Sequence, residues 1–517
     1  MRFFSFVATV CSVFLLVACG GTGPVDLATD GATVGPGGGQ PGSGSGGGNG
    51  GGGSSGGSSN PQITFDDAAY DLGASGGFPS GIELDGQNRV YVVSDATIPA
   101  TLRVIDASSG SIGSELSSIT ITASDLIDHD GANPARAPTT FGSGLFGAFT
   151  GDIEVVANRY VLLTVGAGNS ASDDGVNPLY LANVVVLDRV TGTVVQAINV
   201  GWSLDHVGEF SGGGGYTAIP QSLPVSVKFV PDDGETLKGE IHVAMSNGAG
   251  STAGLGSFYS GTVQTWRADF LSGTPLTPET SGKAATDVTR THVSAYYNPV
   301  SLTHVLAASG NYLMVTDAGA SWFNANGAVP TTQARMEFLD LDTDAWRDTW
   351  SINLGLSLPA AHEPALGRDG DGDRFAMFTS QTFGFVYAVD LSGLDEDPVD
   401  TGKLRLLQAA PITQNPTLIG AGFQSDVALR GDFAIVSSFT TTGLTVLELP
   451  EDIATGEIRV NPDEFGTASM KTTKGFGLGH LTATNIPGVA VIAILNGGFF
   501  PPSNSALVTL DADGLLD

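Results

Sequence analysis

The residues best suited to chemistry begin with three aspartates separated by glycines, Asp369, Asp371 and Asp373, in the segment DGDGD. Carboxylates at alternate positions can converge on a hard cation such as Ca²⁺, which binds oxygen ligands. A later acidic ligand is missing, because Ala376 and Met377 stand where calcium loops place it. The segment therefore predicts either a calcium site or a tight solvated turn, and calcium is the one cofactor that this motif suggests.

A second candidate set is defined by position along the chain. Asp152, His362, Glu363, Gln424 and His480 each stand at or just before the start of a short apolar run. If these runs are the first strands of a ring of sheets, their leading residues surround one mouth of the central channel. Imidazoles and carboxylates that converge there could hold zinc, iron or calcium, or act as acid and base. The alternative is that they are channel-lining groups bonded to water and backbone.

Motifs for nucleophilic or phosphate chemistry are weak. The sequence has no HExxH and no G-x-x-x-x-G-K-S/T segment. The string GASGG at 73–77 matches G-x-S-x-G but lacks the strand-to-helix turn that a nucleophile elbow needs. Both cysteines, Cys11 and Cys19, lie in the first 19 residues, so the folded part offers no disulfide, thiolate metal site or cysteine nucleophile.

The scaffold that would position these residues is built by repetition. Ser80–Gly110 holds three short runs rich in Val, Ile and Tyr between polar turns, which predicts a strand, a hairpin, a longer loop and another strand. Units of this plan recur about every 65 residues without a helical period between them. They predict an all-β fold, a β-propeller of about seven four-stranded blades, although six or eight also fit. The units begin near Gly81, Gly151, Val225, Pro299, Pro364, Gln424 and Gly479. A tandem of β-sandwiches is the alternative, but it would repeat about every 100 residues.

Two local patterns add detail to the propeller. An Asp closes the third strand before a turn in the segments LDRVTG, LDLDTD and VDLSG, where its carboxylate is expected to bind turn amides. The segment ITFDDAAYDLG, after Gln62, is expected to pair with Ser505–Asp511 in the last blade. Such pairing closes the ring and leaves no open sheet edge.

Three long stretches are interpreted as loops, which is where binding usually resides on a rigid scaffold. They are Thr122–Thr150, Ser211–Pro224 and Thr274–Pro299. The first of them could carry one short helical turn.

The charge balance excludes some partners. Against 53 acidic residues the chain has 21 Lys and Arg, a formal net charge of −32. Such a field repels nucleic-acid backbones and anionic membrane surfaces, so neither is an expected electrostatic partner. An acidic surface can attract cations or basic partners, and solubility alone is the simpler interpretation. We expect a monomer.

The N-terminus has the pattern of a secretory signal. Residues 1–18 start with Arg2, continue with an apolar run from Phe3 to Val17 and end in small residues, and this run is shorter than a membrane span. Leu16-Val17-Ala18-Cys19-Gly20 resembles the lipobox of bacterial lipoproteins. The resemblance implies cleavage before Cys19, acylation of its sulfur and amine, and anchoring in the cell envelope. Gly rather than Asp at position 20 implies the outer membrane of a Gram-negative host, and a Gram-positive host would place it on the outer face of its single membrane.

Residues 19–60 predict a disordered tether. Between Gly35 and Ser59, fifteen of twenty-five residues are Gly and six are Ser, too little apolar surface to offset chain entropy. About forty such residues have a mean reach of about 30–40 Å. Residues 61–517 are therefore expected to form one propeller held clear of the lipid.

The first unit also resembles known propeller families. The segment PSGIELDGQNRVYVVSDA is similar to the repeat of NHL, gluconolactonase-like and YVTN propellers. The lactonase family has a Glu, Asn and Asp calcium site, but its leading Glu is absent here, where Gly77-Phe78-Pro79 stands. The resemblance implies a fold and hardly a function.

Two functions follow as hypotheses. The favoured one is a lipid-anchored envelope module that binds a protein or glycan through its loop-rich face. The alternative is a metal-dependent, lactonase-like hydrolase or an oxidoreductase, with His362, Glu363, His480 and Asp152 as ligands or acid and base at the channel mouth.

Overall fold

The structure is a computed structural model that describes most of the expected propeller segment. The expected signal peptide, Cys19 and the tether lie outside the described residues. No helix in the described ranges is long and apolar enough to cross a membrane. The described residues are 64–73, 79–94, 98–108, 112–127, 149–167, 181–201, 219–251, 254–256, 260–283, 288–319, 321–324, 327–330, 332–355, 362–380, 385–411, 424–438, 444–460, 477–486, 489–496 and 505–511.

Seven antiparallel sheets follow one another along the chain and form the blades of a seven-bladed β-propeller, as the sequence predicts. The strands before and within blades 1 to 3 are β1 (Thr64–Gly73); β2 (Ser80–Leu84), β3 (Arg89–Val93), β4 (Ala100–Asp106) and β5 (Glu115–Ile121); β6 (Phe149–Val156), β7 (Tyr160–Ala167), β8 (Leu181–Asp188) and β9 (Thr193–Asn199); β10 (Ile219–Pro231), β11 (Lys238–Ser251), β12 (Gly254–Gly256), β13 (Ser260–Asp269), β14 (Leu276–Pro278) and β15 (Arg290–Tyr297).

The later blades repeat the same order. Their strands are β16 (Pro299–Ala307), β17 (Gly310–Asp317), β18 (Ser321–Asn324), β19 (Gly327–Pro330), β20 (Ala334–Asp340), β21 (Ala345–Trp346) and β22 (Ile352–Gly355); β23 (Ala365–Arg368), β24 (Arg374–Thr379), β25 (Phe385–Asp390) and β26 (Arg405–Pro411); β27 (Gln424–Arg430), β28 (Phe433–Ser438), β29 (Leu444–Glu448) and β30 (Arg459–Val460); β31 (Gly477–Ala483), β32 (Val489–Asn496) and β33 (Ser505–Asp511). Short 3-10 helices lie at Ala123–Asp125, Asp348–Trp350, Ser392–Asp395 and Thr401–Lys403.

The ring closes through the N-terminal strand, as predicted. β1 pairs antiparallel with β33, with Thr64 opposite Asp511 and Tyr70 opposite Leu507. The last blade is therefore built from both ends of the folded segment, in the order β1-β33-β32-β31. This pairing removes the open edge that β33 would otherwise present.

Blades 3 and 4 depart from the simple four-stranded plan. Two short strands, β14 and β15, share the outer edge of β13, and β21 and β22 share that of β20. Near the channel mouth β12 pairs with β18 through Gly256 and Trp322, so strands β18 and β19, which follow blade 4's second strand, extend the sheet of blade 3.

The interpretation of the long loops needs correction at two places. Thr274–Pro299 contains β14 and β15, so a large part of it is strand. It reads as loop in the sequence because β15 is a half-exposed outer strand without a continuous apolar run. Ser211–Pro224 likewise includes the start of β10. In Thr122–Thr150 the predicted helical turn is the 3-10 helix at Ala123–Asp125, and residues 128–148 lie outside the described part.

The core lies between the blades. Apolar side chains on the facing sides of neighbouring sheets pack together, as Val104 and Leu102 of blade 1 do with Leu163 and Val185 of blade 2. The same contact recurs between blade 7 and blade 1, where Ile492 joins Val90 and Val92 in one cluster. Each sheet is thus apolar on both faces, which explains the nearly continuous apolar runs of the middle strands.

The predicted aspartate turns are confirmed in five blades. An Asp ends the third strand, and its Oδ1 accepts a hydrogen bond from the backbone N–H two residues later, which holds the turn into the outer strand. The five aspartates are Asp106, Asp188, Asp269, Asp340 and Asp390, with N···O distances of 2.9, 2.9, 3.1, 2.9 and 3.0 Å.

Asp188 allows a test of this turn. Asp188 is buried, and its carboxylate also accepts hydrogen bonds from Nε and an Nη of Arg159, at 3.0 and 2.7 Å. We expect Asp188→Asn to lower the free energy of unfolding by about 1–2 kcal/mol in a urea titration, because the amide cannot accept from all three donors. Asp106→Asn, at the equivalent but more exposed position, should cost less. Equal losses in the two variants would contradict the role of the Arg159 contact.

Candidate functional site

β-bulges place polar residues at the channel mouth. Six of the seven inner strands interrupt their pairing near their start within the described residues, for example between Gln424 and Asp426 in β27. A bulge inserts an extra residue and redirects the side chains that follow. The other interruptions lie between Ser80 and Ile82, Thr150 and Ile153, Pro224 and Ser226, Pro299 and Ser301, and Leu478 and Leu481.

Side chains of these inner strands accept hydrogen bonds from the backbone of the next blade. An inner strand pairs on one side only, so its channel-facing N–H groups need other acceptors. Four junctions in the described part of the chain meet this need in the same way. The acceptor side chains and donor N–H groups are Glu83 with Val155, Asp152 with Val227, Ser226 with Leu302 and Asp426 with Leu481, at N···O distances of 2.8, 3.1, 3.1 and 3.1 Å.

Two of these hydrogen bonds between blades are linked to each other. The Ser226 hydroxyl donates to Oδ2 of Asp152 at 2.6 Å while its oxygen accepts from the N–H of Leu302. Blades 2, 3 and 4 are therefore joined at the channel by one chain of hydrogen bonds. Burial raises the pKa of Asp152, although these hydrogen bonds favour its ionised form.

Lys228 in β10 connects blades across the channel. Its Nζ lies 3.0 Å from Oε2 of Glu154 in blade 2 and 2.8 Å from Oε2 of Glu363, which precedes β23 in blade 5. Burial raises the pKa of Glu154 to about 7 in spite of the ammonium group. Burial and the nearby charge of Glu154 also raise the pKa of Glu83 well above its usual range. Carboxyl groups thus outnumber the one ammonium group at this side of the mouth.

His362, Asp426 and His480 form a second cluster, from blades 5, 6 and 7. Nδ1 of His362 lies 2.9 Å from Oδ1 of Asp426, and Nε2 lies 2.9 Å from Oγ1 of Thr379. Nδ1 of His480 lies 3.5 Å from Oδ2 of Asp426, and the two imidazole rings are 6.4 Å apart between centroids. Both carboxylate oxygens of Asp426 and both ring nitrogens of His362 therefore have protein partners.

Electrostatics favour the ion pair in this cluster. Burial disfavours a charge on His362, but the carboxylate of Asp426 outweighs it and raises the pKa of the imidazole. Burial likewise disfavours the Asp426 carboxylate, and the two imidazoles nevertheless lower its pKa far below the usual range. Both shifts thus favour the buried charged pair of His362 and Asp426 over the neutral pair.

The residues predicted from the sequence come together at this mouth. Asp152 contacts blade 3, Glu363 contacts Lys228, and His362 and His480 share Asp426. The side chain of Gln424 lies outside the described residues. Sequence reasoning missed Glu83, Glu154, Lys228 and Asp426. A usable signal exists for them, since Glu83, Glu154 and Lys228 are charged residues between apolar neighbours and Asp426 directly precedes the apolar run of β27.

The DGDGD segment lies at the opposite end of blade 5, in the turn between β23 and β24. Oδ1 of Asp369 accepts from the N–H of Asp373 at 2.9 Å, and Oδ2 accepts from the N–H of Ile453 in blade 6 at 3.0 Å. Asp369 therefore shapes the turn and fastens it to the next blade. No group of three or more His, Cys, Asp or Glu side chains among the described residues is arranged to hold a metal ion. Calcium binding by Asp369, Asp371 and Asp373 stays a prediction.

Comparisons with known proteins find only distant structural similarity. No family model matches the chain. No curated protein matches it in sequence. Similar solved structures include dihydro-heme d1 dehydrogenase NirN in complex with DHE, with TM-score 0.40 and 13% identity over 85% of this chain and 65% of that one. This chain thus covers less than two thirds of the NirN chain.

Two further structures are similar to a comparable degree. A catalytically inactive variant of virginiamycin B lyase from Staphylococcus aureus, with quinupristin, has TM-score 0.41 and 9% identity over 87% of this chain and 100% of that one. BamB from Moraxella catarrhalis has TM-score 0.33 and 13% identity over 83% of each chain. Such distant similarity transfers no function. The seven sheets themselves define the class: a seven-bladed β-propeller with a charged channel mouth.

Asp426 is the residue on which the mouth depends most. We expect Asp426→Asn to lower the free energy of unfolding by about 2–4 kcal/mol, because it removes the charge that balances buried His362. The raised pKa of His362 gives stability that is complete below about pH 6.5 and is lost as the pH rises through the folded value. The lowered pKa of Asp426 gives stability that is present above about pH 4 and is lost on acidification.

The difference between wild type and Asp426→Asn should therefore be largest between about pH 4 and 6.5, as measured by urea titrations at several pH values. Asp432→Asn, in an exposed turn of the same blade, is the control and should leave the pH profile unchanged. A loss in Asp426→Asn that is the same at every pH would contradict the ion pair.

Proposed function

We propose that this protein is a lipid-anchored β-propeller of the bacterial cell envelope that binds a basic ligand at its channel mouth, either a Lys- or Arg-rich segment of an envelope protein or an amine-bearing glycan. The observation that carries the proposal is that the buried polar groups of the mouth are bound to other protein groups. His362, Asp152 and Asp426 each contact a neighbouring blade, and the second ring nitrogen of His362 contacts Thr379 of its own blade. They build a rigid rim rather than a set of free catalytic groups.

The groups that reach solvent at this rim support a basic ligand. Side chains of Glu363, His480 and Lys228 are 42%, 26% and 18% exposed. Glu363 is the most open of them, and it adds to the negative field of a chain whose formal net charge is −32. A low-dielectric channel mouth focuses such a field and attracts cationic groups.

The anchor rests on Cys19 and the segment that precedes it. A hydrophobic leader directly precedes the lipobox-like LVACG, and a Gly/Ser-rich stretch follows it. Two or more acyl chains hold a protein to a membrane stably. Cys19→Ser should move the full chain from the outer-membrane fraction to the soluble fraction of cells, and unchanged membrane fractionation would contradict the anchor.

A metal-dependent, lactonase-like hydrolase or an oxidoreductase is the alternative function. It is favoured by the pKa of Glu154, which burial places at about 7, a value that suits an acid or base at neutral pH. His480 would be its most accessible imidazole. Turnover of a lactone, ester or sugar substrate that is lost in both Glu154→Gln and His480→Ala would favour this alternative over a binding function.

The binding proposal is tested with peptides of opposite charge. The full chain in detergent should bind a Lys-rich peptide and an amine-bearing oligosaccharide in preference to a Glu-rich peptide, with affinity that falls as salt is added. Glu363→Gln should weaken binding of the basic probe by up to about five-fold, since one exposed ion pair contributes up to about 1 kcal/mol. Isothermal titration calorimetry measures both effects.

Asp371→Asn is the matched control, because it removes an acidic residue of the same blade at the other end of the sheet. It should bind the basic probe as wild type does. The proposal is wrong if acidic and basic probes bind equally, or if Asp371→Asn weakens binding while Glu363→Gln does not.

A further inference from the structure

A buried pair of carboxyl groups lies between blades 3 and 4. Glu337 in β20 stands opposite Val315 in β17, and Asp317 follows two residues later on the same face of the strand. This face packs against blade 3, where Val315 shares an apolar cluster with Val263 of β13. Neither carboxyl group belongs to the polar contacts of the channel mouth.

The two carboxyl groups have almost no other partner. Asp317 is 0% exposed and Glu337 is 5% exposed. Within the described residues, no hydrogen-bond donor reaches either carboxylate oxygen of Asp317 or Oε1 of Glu337. The two side chains interact with each other, and Ser294 of blade 3 binds Glu337. Since carboxylates only accept hydrogen bonds, a bond between these two requires a proton on one of them.

The charged groups nearby do not neutralise the pair. Arg335 stands opposite Asp317, but its guanidinium carbon lies 5.4 Å from the ring centroid of Tyr296. Asp348 adds negative charge beside Glu337. The basic groups of the facing strand β15 are engaged elsewhere: Arg290 and His292 lie 3.2 and 3.0 Å from Asp344. Two ionised carboxylates in this apolar interface would therefore cost several kcal/mol.

We propose that Asp317 and Glu337, both in blade 4, share a proton that keeps a second negative charge out of the interface with blade 3, so that this junction is a pH-sensitive element of the ring. The pair lies next to the connection from β17 to β18. The N–H groups of Ala318 and Gly319 in that connection donate to the carbonyls of Asn298 and Tyr297. Loss of the shared proton would thus destabilise the connection from which β18 and β19 extend the sheet of blade 3.

The titration of the pair gives the direction of the effect. Burial and the charge of Glu337 raise the pKa of Asp317 well above its usual range, and burial raises the pKa of Glu337 to about 7. Because both pKa values are higher in the folded than in the unfolded protein, the folded protein binds more protons above about pH 4. The stability of the junction therefore falls as the pH rises from about 4 through the folded pKa values.

Glu337→Gln tests the proposal. The NH₂ group of the introduced amide can donate a hydrogen bond to Asp317 at every pH and does not depend on a titratable proton. The variant should therefore keep its stability at alkaline pH. Thermal melts of the full chain measure the melting temperature of Glu337→Gln minus that of wild type at each pH. This difference should increase by a few degrees between about pH 5 and about pH 8.5. Glu235→Gln, in an exposed hairpin of blade 3, is the control and should follow wild type at every pH.

A second measurement does not depend on the variant folding. In wild-type protein, hydrogen exchange in peptides covering β17 and β20 should accelerate beyond the intrinsic pH effect over the same range, while peptides from β7 and β8 should not. Parallel melting curves for wild type and Glu337→Gln would overturn the proposal. So would a melting temperature at about pH 8.5 that rises with added calcium, sodium or potassium in wild type but not in Glu337→Gln, because a cation would then replace the proton.

Discussion

The inner strand of each blade pairs with a neighbour on one side only, and the backbone N–H groups on its other edge face a narrow channel. A buried N–H group without an acceptor costs about 1–3 kcal/mol. The protein supplies acceptors from the preceding blade: Glu83, Asp152, Ser226 and Asp426 each bind an N–H group of the next inner strand. This requirement explains why polar residues interrupt strands that are otherwise apolar, and why a bulge precedes most of them.

The same contacts shape what the channel mouth can do. His362 is held between Asp426 and Thr379, and Glu363 next to it reaches Lys228 across the channel. Contacts of this kind fix the rim and neutralise part of its charge, but they leave the carboxyl group of Glu363 exposed to solvent. A rigid, negatively charged opening suits recognition of a cationic ligand, because little side-chain freedom remains to be lost on binding.

Much of the fold follows from the sequence, because local patterns determine it. The aspartate turns need only one carboxylate and the amide two residues later, and ring closure follows from an unpaired strand-like segment at each end. The starts of the inner strands were likewise predicted within a few residues. β14 and β15 were missed because a half-exposed outer strand has no apolar run to mark it.

The site was only partly predictable for a different reason. Asp152, His362, Glu363 and His480 are predicted by their position before apolar runs. In β27 the same rule selects Gln424 instead of Asp426, because the bulge between these two residues redirects the side chains that follow and is not visible in the sequence. Partners such as Lys228 and Glu363 lie 135 residues apart, and nothing in the local sequence of either one indicates the other. The carboxyl pair of Asp317 and Glu337 is also invisible locally, since it depends on which face of β17 meets blade 3.

The charge state of His362 is the most direct test of the ion pair at the channel mouth, and it can be read from the nitrogen and carbon chemical shifts of labelled histidines over a range of pH. We predict that His362 stays protonated above the ordinary histidine pKa of about 6.5 and that Asp426→Asn lowers its pKa. That result would support an imidazolium fixed between blades as part of the rim. A neutral His362 that gains a proton only at acid pH would contradict the ion pair, and would leave an imidazole free to bind a metal ion or to act as a base.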